Sequence, residues 1–102
     1  MRYDNYSVFV LIGQRGVAED AFCERVRERG KEVGAEALLF FCEPDGYLTA
    51  YLFAPATEEQ RSRGFIIPFQ QALQWVLSRE GYPAEPEEDF DLPLLYIERV
   101  SE

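Results

Sequence analysis

The sequence contains no histidine, a single lysine and only two cysteines among its 102 residues. Without histidine, Ser-His and Cys-His nucleophilic sites and imidazole metal ligands are excluded. Cys23 lies in a helical pattern and Cys42 in a strand pattern, and we expect two free, mostly buried thiols in a reducing compartment rather than a disulfide. These absences predict a protein that is not an enzyme, with no catalytic residue, no cofactor and no metal site.

Long apolar runs are also missing. No stretch approaches the roughly 20 apolar residues that cross a bilayer. The run from Val8 to Ile12 is too short for a signal peptide, and the amino end carries Arg2 and Asp4. The sequence therefore predicts a cytoplasmic protein with no membrane contact.

Basic residues are scarce relative to acidic ones, with 10 Lys and Arg against 19 Asp and Glu and a formal net charge of -9. Nucleic acids and anionic membranes are bound through Lys and Arg. Half of the basic residues lie between Arg15 and Lys31, interleaved with acids as on a solvated helix face. We therefore expect no direct binding to nucleic acid. One open alternative is that the negative charge serves only solubility.

Apolar and aromatic residues are plentiful. The hydrophobic fraction is 47%, and one Trp, six Tyr and eight Phe are available. This composition and length predict a folded single domain over residues 1–102 with its own core.

Hydrophobic periodicity predicts four strands and two helices in the order βαββαβ. The predicted strands are Tyr6 to Ile12, Glu36 to Cys42, Tyr47 to Ala54 and Leu94 to Val100, and the predicted helices are Val17 to Val33 and Pro68 to Glu80. The tetrapeptide Glu43-Pro44-Asp45-Gly46 predicts a β-hairpin turn, because Pro presets the turn and Gly accepts positive φ. The structure of residues 56–67 and the burial of Trp75 are left open.

This order matches the ferredoxin-like α+β sandwich, an antiparallel four-stranded sheet with two helices on one face. Right-handed crossovers would place the first and third strands at its centre. The other face would then be bare, and alternate residues of the third strand would project onto it. The residues of this predicted dimer or partner face are Tyr47, Thr49, Tyr51 and Phe53.

An acidic segment, Glu80 to Asp91, connects the second predicted helix to the last strand. It contains six acids and no Lys, Arg or His, with an aromatic residue near each end. A concentrated negative field beside aromatic anchors suits docking onto a basic surface. The predicted partner-binding residues are Glu80, Tyr82, Glu85, Glu87, Glu88, Asp89, Phe90 and Asp91.

Besides a role of the negative charge in solubility alone, the sequence favours two other functions. The first is a small acidic protein-binding module or inhibitor that docks onto a basic, often nucleic-acid-binding, surface of a partner protein. Anti-defence inhibitors and immunity proteins that mimic nucleic acid have this general profile of size and acidity. The alternative is a ferredoxin-like homodimer with a small-molecule pocket, regulatory or weakly enzymatic. Which surface acts, the acidic segment or the aromatic sheet face, is left open.

Overall fold

The computed structural model describes residues 6–58, 67–83 and 94–101. In these ranges the predicted order βαββαβ is confirmed. The elements are β1 (Tyr6–Gly13), α1 (Glu19–Val33), β2 (Ala37–Cys42), β3 (Leu48–Pro55), α2 (Phe69–Arg79) and β4 (Leu94–Val100). Their bounds lie within about two residues of those expected from periodicity, which is the usual uncertainty at element ends.

The four strands form one mixed sheet in the order β2-β3-β1-β4. β3 is antiparallel to both β1 and β2, whereas β4 is parallel to β1, with Val10 opposite Ile97. The α+β class with a four-stranded sheet and two helices is therefore confirmed, but the predicted fully antiparallel pairing of the sheet is wrong, because β4 is parallel to β1. Periodicity identifies strands and does not determine their direction.

β4 begins at the end of the sheet opposite to the C-terminal end of α2, and it therefore runs parallel to β1. β3 ends beside the start of β1, because Pro55 pairs with Tyr6. Helix α2 begins at that same end, where the Tyr6 N–H bonds the carbonyl of Ile67 at 3.0 Å. The helix ends near the β2–β3 turn, whereas Leu94 pairs with Ser7 at the other end. The C-terminal end of α2 and the first residue of β4 thus lie at opposite ends of the sheet.

The two helices pack on opposite faces of the sheet. On one face, Phe22 and Val26 of α1 contact a core cluster with Leu11, Ala50 and Leu52. On the other face, Ala72 and Val76 of α2 pack with a second cluster, whose strand residues are Val8, Val10, Tyr51 and Phe53. The prediction that both helices cover one face and leave the other bare is therefore wrong.

The predicted aromatic face consequently belongs to the core beneath α2. Tyr51 and Phe53 are 1% and 0% exposed, and the Phe53 ring lies 5.3 Å from the ring of Phe69 on α2. Thr49 is buried as well, and Tyr47 is half-buried just before β3. Alternation along β3 correctly grouped these residues on one side, but alternation carries no information about what covers that side.

The length and apolar character of the two described helices decide whether either of them could cross a membrane. Neither α1 nor α2 combines the length and the apolar character that a helix needs to cross a bilayer.

Candidate binding surface at the hairpin end of the sheet

Two of the predicted partner-binding residues, Glu80 and Tyr82, lie at the C-terminal end of α2. The remaining six fall outside the described residues, and their role stays a prediction. These six are Glu85, Glu87, Glu88, Asp89, Phe90 and Asp91. The geometry of the surface is therefore built from Glu80, Tyr82 and the elements that surround them.

The β2–β3 turn supplies one wall of this surface. Gly46 has a φ of 88°, a conformation that favours glycine, and its N–H bonds the carbonyl of Glu43 at 2.9 Å. The Asp45 carboxylate accepts a hydrogen bond from the Tyr47 N–H at 3.0 Å, and the Glu43 N–H bonds the Tyr47 carbonyl at 2.8 Å. These bonds fix the backbone of Glu43 and the carboxylate of Asp45 at the tip of the hairpin.

The end of α2 supplies the facing wall. Gly81 adopts a φ of 86°, and the Tyr82 N–H reaches back to the Leu77 carbonyl at 2.9 Å. This is the hydrogen bond of a Schellman motif, which terminates a helix at a left-handed residue. The motif turns the chain at Gly81, so Glu80 remains beside the hairpin and Tyr82 extends past the helix end.

Together the two walls border an open surface concavity of about 440 Å³, which we call the hairpin pocket. Its lining residues are Ile12, Glu43, Pro44, Asp45, Thr49, Tyr51, Arg79 and Glu80. Three carboxylates and one guanidinium therefore share one concavity, which leaves a negative balance. The Arg79 guanidinium also lies over the ring of Trp75, 5.3 Å from its centroid.

The carboxylate of Glu80 has an unusual environment. Burial raises its pKa to about 7, and the neighbouring Glu43 carboxyl adds to this effect through a hydrogen bond and like-charge repulsion. The Tyr51 hydroxyl donates a hydrogen bond to Glu80 Oε1 at 3.2 Å and works in the opposite direction. Burial also raises the pKa of the Tyr51 hydroxyl, which therefore remains a proton donor.

An aromatic residue, Tyr82, lines a neighbouring cavity that shares Glu43, Pro44 and Glu80 with the hairpin pocket. The Tyr82 side chain is 54% exposed, and its ring lies 6.0 Å from that of Phe41. Phe41 in turn makes an edge contact with Tyr51 at 5.7 Å. A chain of three rings thus runs from the core to the surface, and it supports Tyr82 while leaving much of its ring available to a partner.

The two cysteines line a different cavity. Both are free thiols, and with three phenylalanines they border a volume of about 210 Å³ between α1 and the end of β2. Cys42 is exposed and Cys23 half-buried, so the expectation of mostly buried thiols is wrong for Cys42. No group of three or more Cys, Asp or Glu side chains suited to a metal ion occurs within the described ranges.

The sequence did not point to Glu43, Asp45 or Arg79 as parts of a site. In the sequence, turn chemistry alone accounts for Glu43 and Asp45, and Arg79 is one basic residue of a predicted helix. The pairing of Glu43 with Glu80 has no sequence signal, because it depends on where α2 ends relative to the hairpin. The one feature of the sequence that indicates an acidic cluster at the turn is the pair of acids on either side of Pro44.

Comparison with known proteins adds no relative. Neither the protein-family models, nor the curated proteins, nor the solved structures contain a match to this chain.

Proposed function

We propose that this protein is a small acidic protein-binding module, and that it docks onto a basic surface of a partner protein through the hairpin pocket and Tyr82. The observation that carries the proposal is the exposed Tyr82 ring, which stands next to Glu43 and Glu80. Negative charge steers a basic partner toward the surface, and a supported aromatic ring supplies short-range contact energy.

The acidic segment that follows Tyr82 extends this surface in the proposal. Glu85, Glu87, Glu88, Asp89 and Asp91 continue the same sign of charge directly along the chain from the pocket. A surface of this kind matches partners whose basic groups normally contact phosphate. The inhibitor role, in which the module occupies a nucleic-acid-binding site on its partner, is the most specific form of the proposal.

The homodimer alternative depended on an open aromatic sheet face. Tyr51 and Phe53 are covered by α2, so this face offers no surface for a second copy.

A triple variant that removes three negative charges from the hairpin pocket tests the proposal. Protein captured from a lysate of the native host is compared between the wild type and the variant Glu43→Gln, Asp45→Asn, Glu80→Gln. The matched control is Asp20→Asn, Glu24→Gln, Glu28→Gln, which removes the same charge from exposed positions of α1. We expect the pocket variant to lose capture and the control to keep it.

The same capture is measured from about 0.05 to 0.5 M salt, over which the Debye length falls from above 10 Å to a few Å. Capture should decline across this range, since exposed charges are screened. Capture that is insensitive to salt contradicts docking through charge. Equal loss in both triple variants shows that total charge matters and the hairpin pocket does not.

A further inference from the structure

Another open surface concavity, of about 420 Å³, lies between the C-terminal half of α1 and the start of β2. It is at the opposite end of β2 from the hairpin pocket. Among the described residues that line it, two are cations and none carries a carboxylate. They are Arg27, Gly30, Lys31, Gly34, Ala35 and Leu38. In a chain with 19 acidic and 10 basic residues, a concavity whose charged lining is entirely cationic stands apart from the rest of the surface.

The two cations of this concavity have no ion-pair partner among the described residues. Arg27 and Lys31 are one helical turn apart, so their side chains project from the same face of α1 and repel each other. Arg25 and Arg29 of the same helix each pair with a carboxylate at 3.7 Å or less. Glu28, which helical spacing would also allow to reach Lys31, is the partner of Arg25. An anion between Arg27 and Lys31 would therefore relieve a repulsion that the described side chains leave in place.

The floor of the concavity depends on Gly30. This glycine is buried inside α1, where glycine is less stable than alanine because its unfolded backbone has more freedom to lose. A Cβ at this position would meet Leu38 Cδ2 at 3.5 Å and the Cβ of Ala35 at 3.7 Å, which is ordinary van der Waals contact. Packing therefore does not require glycine here. Because both neighbours line the concavity, the missing side chain leaves space at its floor.

The apolar part of the lining favours an aliphatic ligand. Ala35 and Leu38 are aliphatic, the methylene stems of Arg27 and Lys31 extend this surface, and no aromatic ring is among the lining residues that the structure describes. A volume of about 420 Å³ falls within the range of roughly 300 to 1,000 Å³ that small-molecule sites occupy.

The charged part of the lining favours a carboxylate over a phosphate. A guanidinium matches the two oxygens of a carboxylate, and the lysine ammonium adds a point charge. Phosphate sites commonly use the free N–H groups at a helix N-terminus. This concavity lies at the other end of α1, where the N–H groups of Gly34 and Ala35 already bond the carbonyls of Lys31 and Gly30.

We propose that this concavity binds an unbranched aliphatic acid, with the carboxylate between Arg27 and Lys31 and the apolar chain over Gly30 and Leu38. The site uses neither the hairpin pocket nor Tyr82, and it needs no partner protein. Its failure and the failure of the proposed function are therefore distinguishable.

The first test is a titration of the isolated wild-type protein with decanoate below its micelle concentration, followed through backbone amide NMR shifts. We expect saturable shifts concentrated in residues 27–38. Decanol has the same chain without the charge, and decyltrimethylammonium has the opposite charge. Both should bind at least about 10-fold more weakly, since they cannot form the charge-assisted contacts. Equal binding of decanol, or shifts that saturate only elsewhere in the chain, overturns the proposal.

The second test uses variants of the lining. Arg27→Gln with Lys31→Gln should weaken decanoate binding by about 10-fold or more. Arg15→Gln with Arg99→Gln removes the same charge from exposed positions elsewhere and should bind as wild type. Gly30→Ala should raise the temperature of unfolding and yet weaken binding, because its Cβ occupies the floor. Equal weakening in the two double variants, or undiminished binding in Gly30→Ala, overturns the proposal.

Discussion

The guanidinium of Arg29 on α1 forms a bidentate ion pair with the carboxylate of Glu98 on β4. Nη2 donates to Oε1 at 2.7 Å, and Nε donates to Oε1 and Oε2 at 2.9 and 3.1 Å. Arg29 also lies 5.4 Å above the ring of Phe9, which stacks on Tyr96 at 4.7 Å. A residue expected on a solvated helix face therefore connects α1 to an edge strand.

Arg29→Lys should lower the free energy of unfolding by about 1 kcal/mol, because lysine cannot form the planar two-point contact or stack as well on Phe9. Arg25→Lys is the matched control, since the Arg25–Glu28 pair is more exposed and longer at 3.7 Å. The control should change stability by less than about 0.5 kcal/mol. Urea unfolding measures the free energy of unfolding of both variants. An equal decrease in the two would show that the Arg29–Glu98 pair stabilises the protein no more than an exposed pair does.

Phe53→Ala should lower the free energy of unfolding by about 3 to 5 kcal/mol, because it empties a fully buried position beside Phe69. Phe40→Ala removes the same side chain from β2 at a position that is 45% exposed. We expect its cost to stay near or below about 1 kcal/mol. Similar costs for the two variants would contradict the burial of the β3 aromatic face beneath α2.

Tyr51→Phe should raise the pKa of Glu80 above its wild-type value of about 7, since the hydroxyl donor that favours the ionised form is removed. The variant should therefore lose more stability at pH 8, where Glu80 is ionised, than at pH 5, with a difference of about 1 kcal/mol. Carboxyl NMR and denaturation at the two pH values provide the measurements. A Glu80 midpoint that falls would show that the hydroxyl does not donate to this carboxylate.

Tyr82→Ala should weaken partner capture by about 2 kcal/mol, or roughly 30-fold, if this ring anchors the complex. Tyr82→Phe keeps the ring and should retain most of the affinity. Ile97→Ala is a control with the same exposed fraction, 54%, on β4. Loss of capture in Ile97→Ala with retention in Tyr82→Ala would move the contact surface from the hairpin pocket to the edge of the sheet.

The elements of this fold were predictable because each has a local signal. Alternating residues around Val10 and Tyr51 indicated strands, the spacing of Phe22 and Val26 indicated a helix, and Pro44 to Gly46 indicated the turn. The candidate site was predicted only in part. Glu80 and Tyr82 were predicted because they lie at the start of a strongly acidic segment. Glu43 had no such signal, because it lies near Glu80 only in the folded structure.

The sequence alone determined the order of strands and helices, the residues that share a side of each strand, and the excess of negative charge. The first two are set by neighbouring residues through side-chain periodicity and turn chemistry, and the third is set by composition. Tertiary structure decided the parallel direction of β4, the covering of Tyr51 and Phe53 by α2, and the meeting of Glu43 with Glu80. These depend on the path of the chain between elements, because packing and burial arise from contacts between residues far apart in sequence, which no local pattern records.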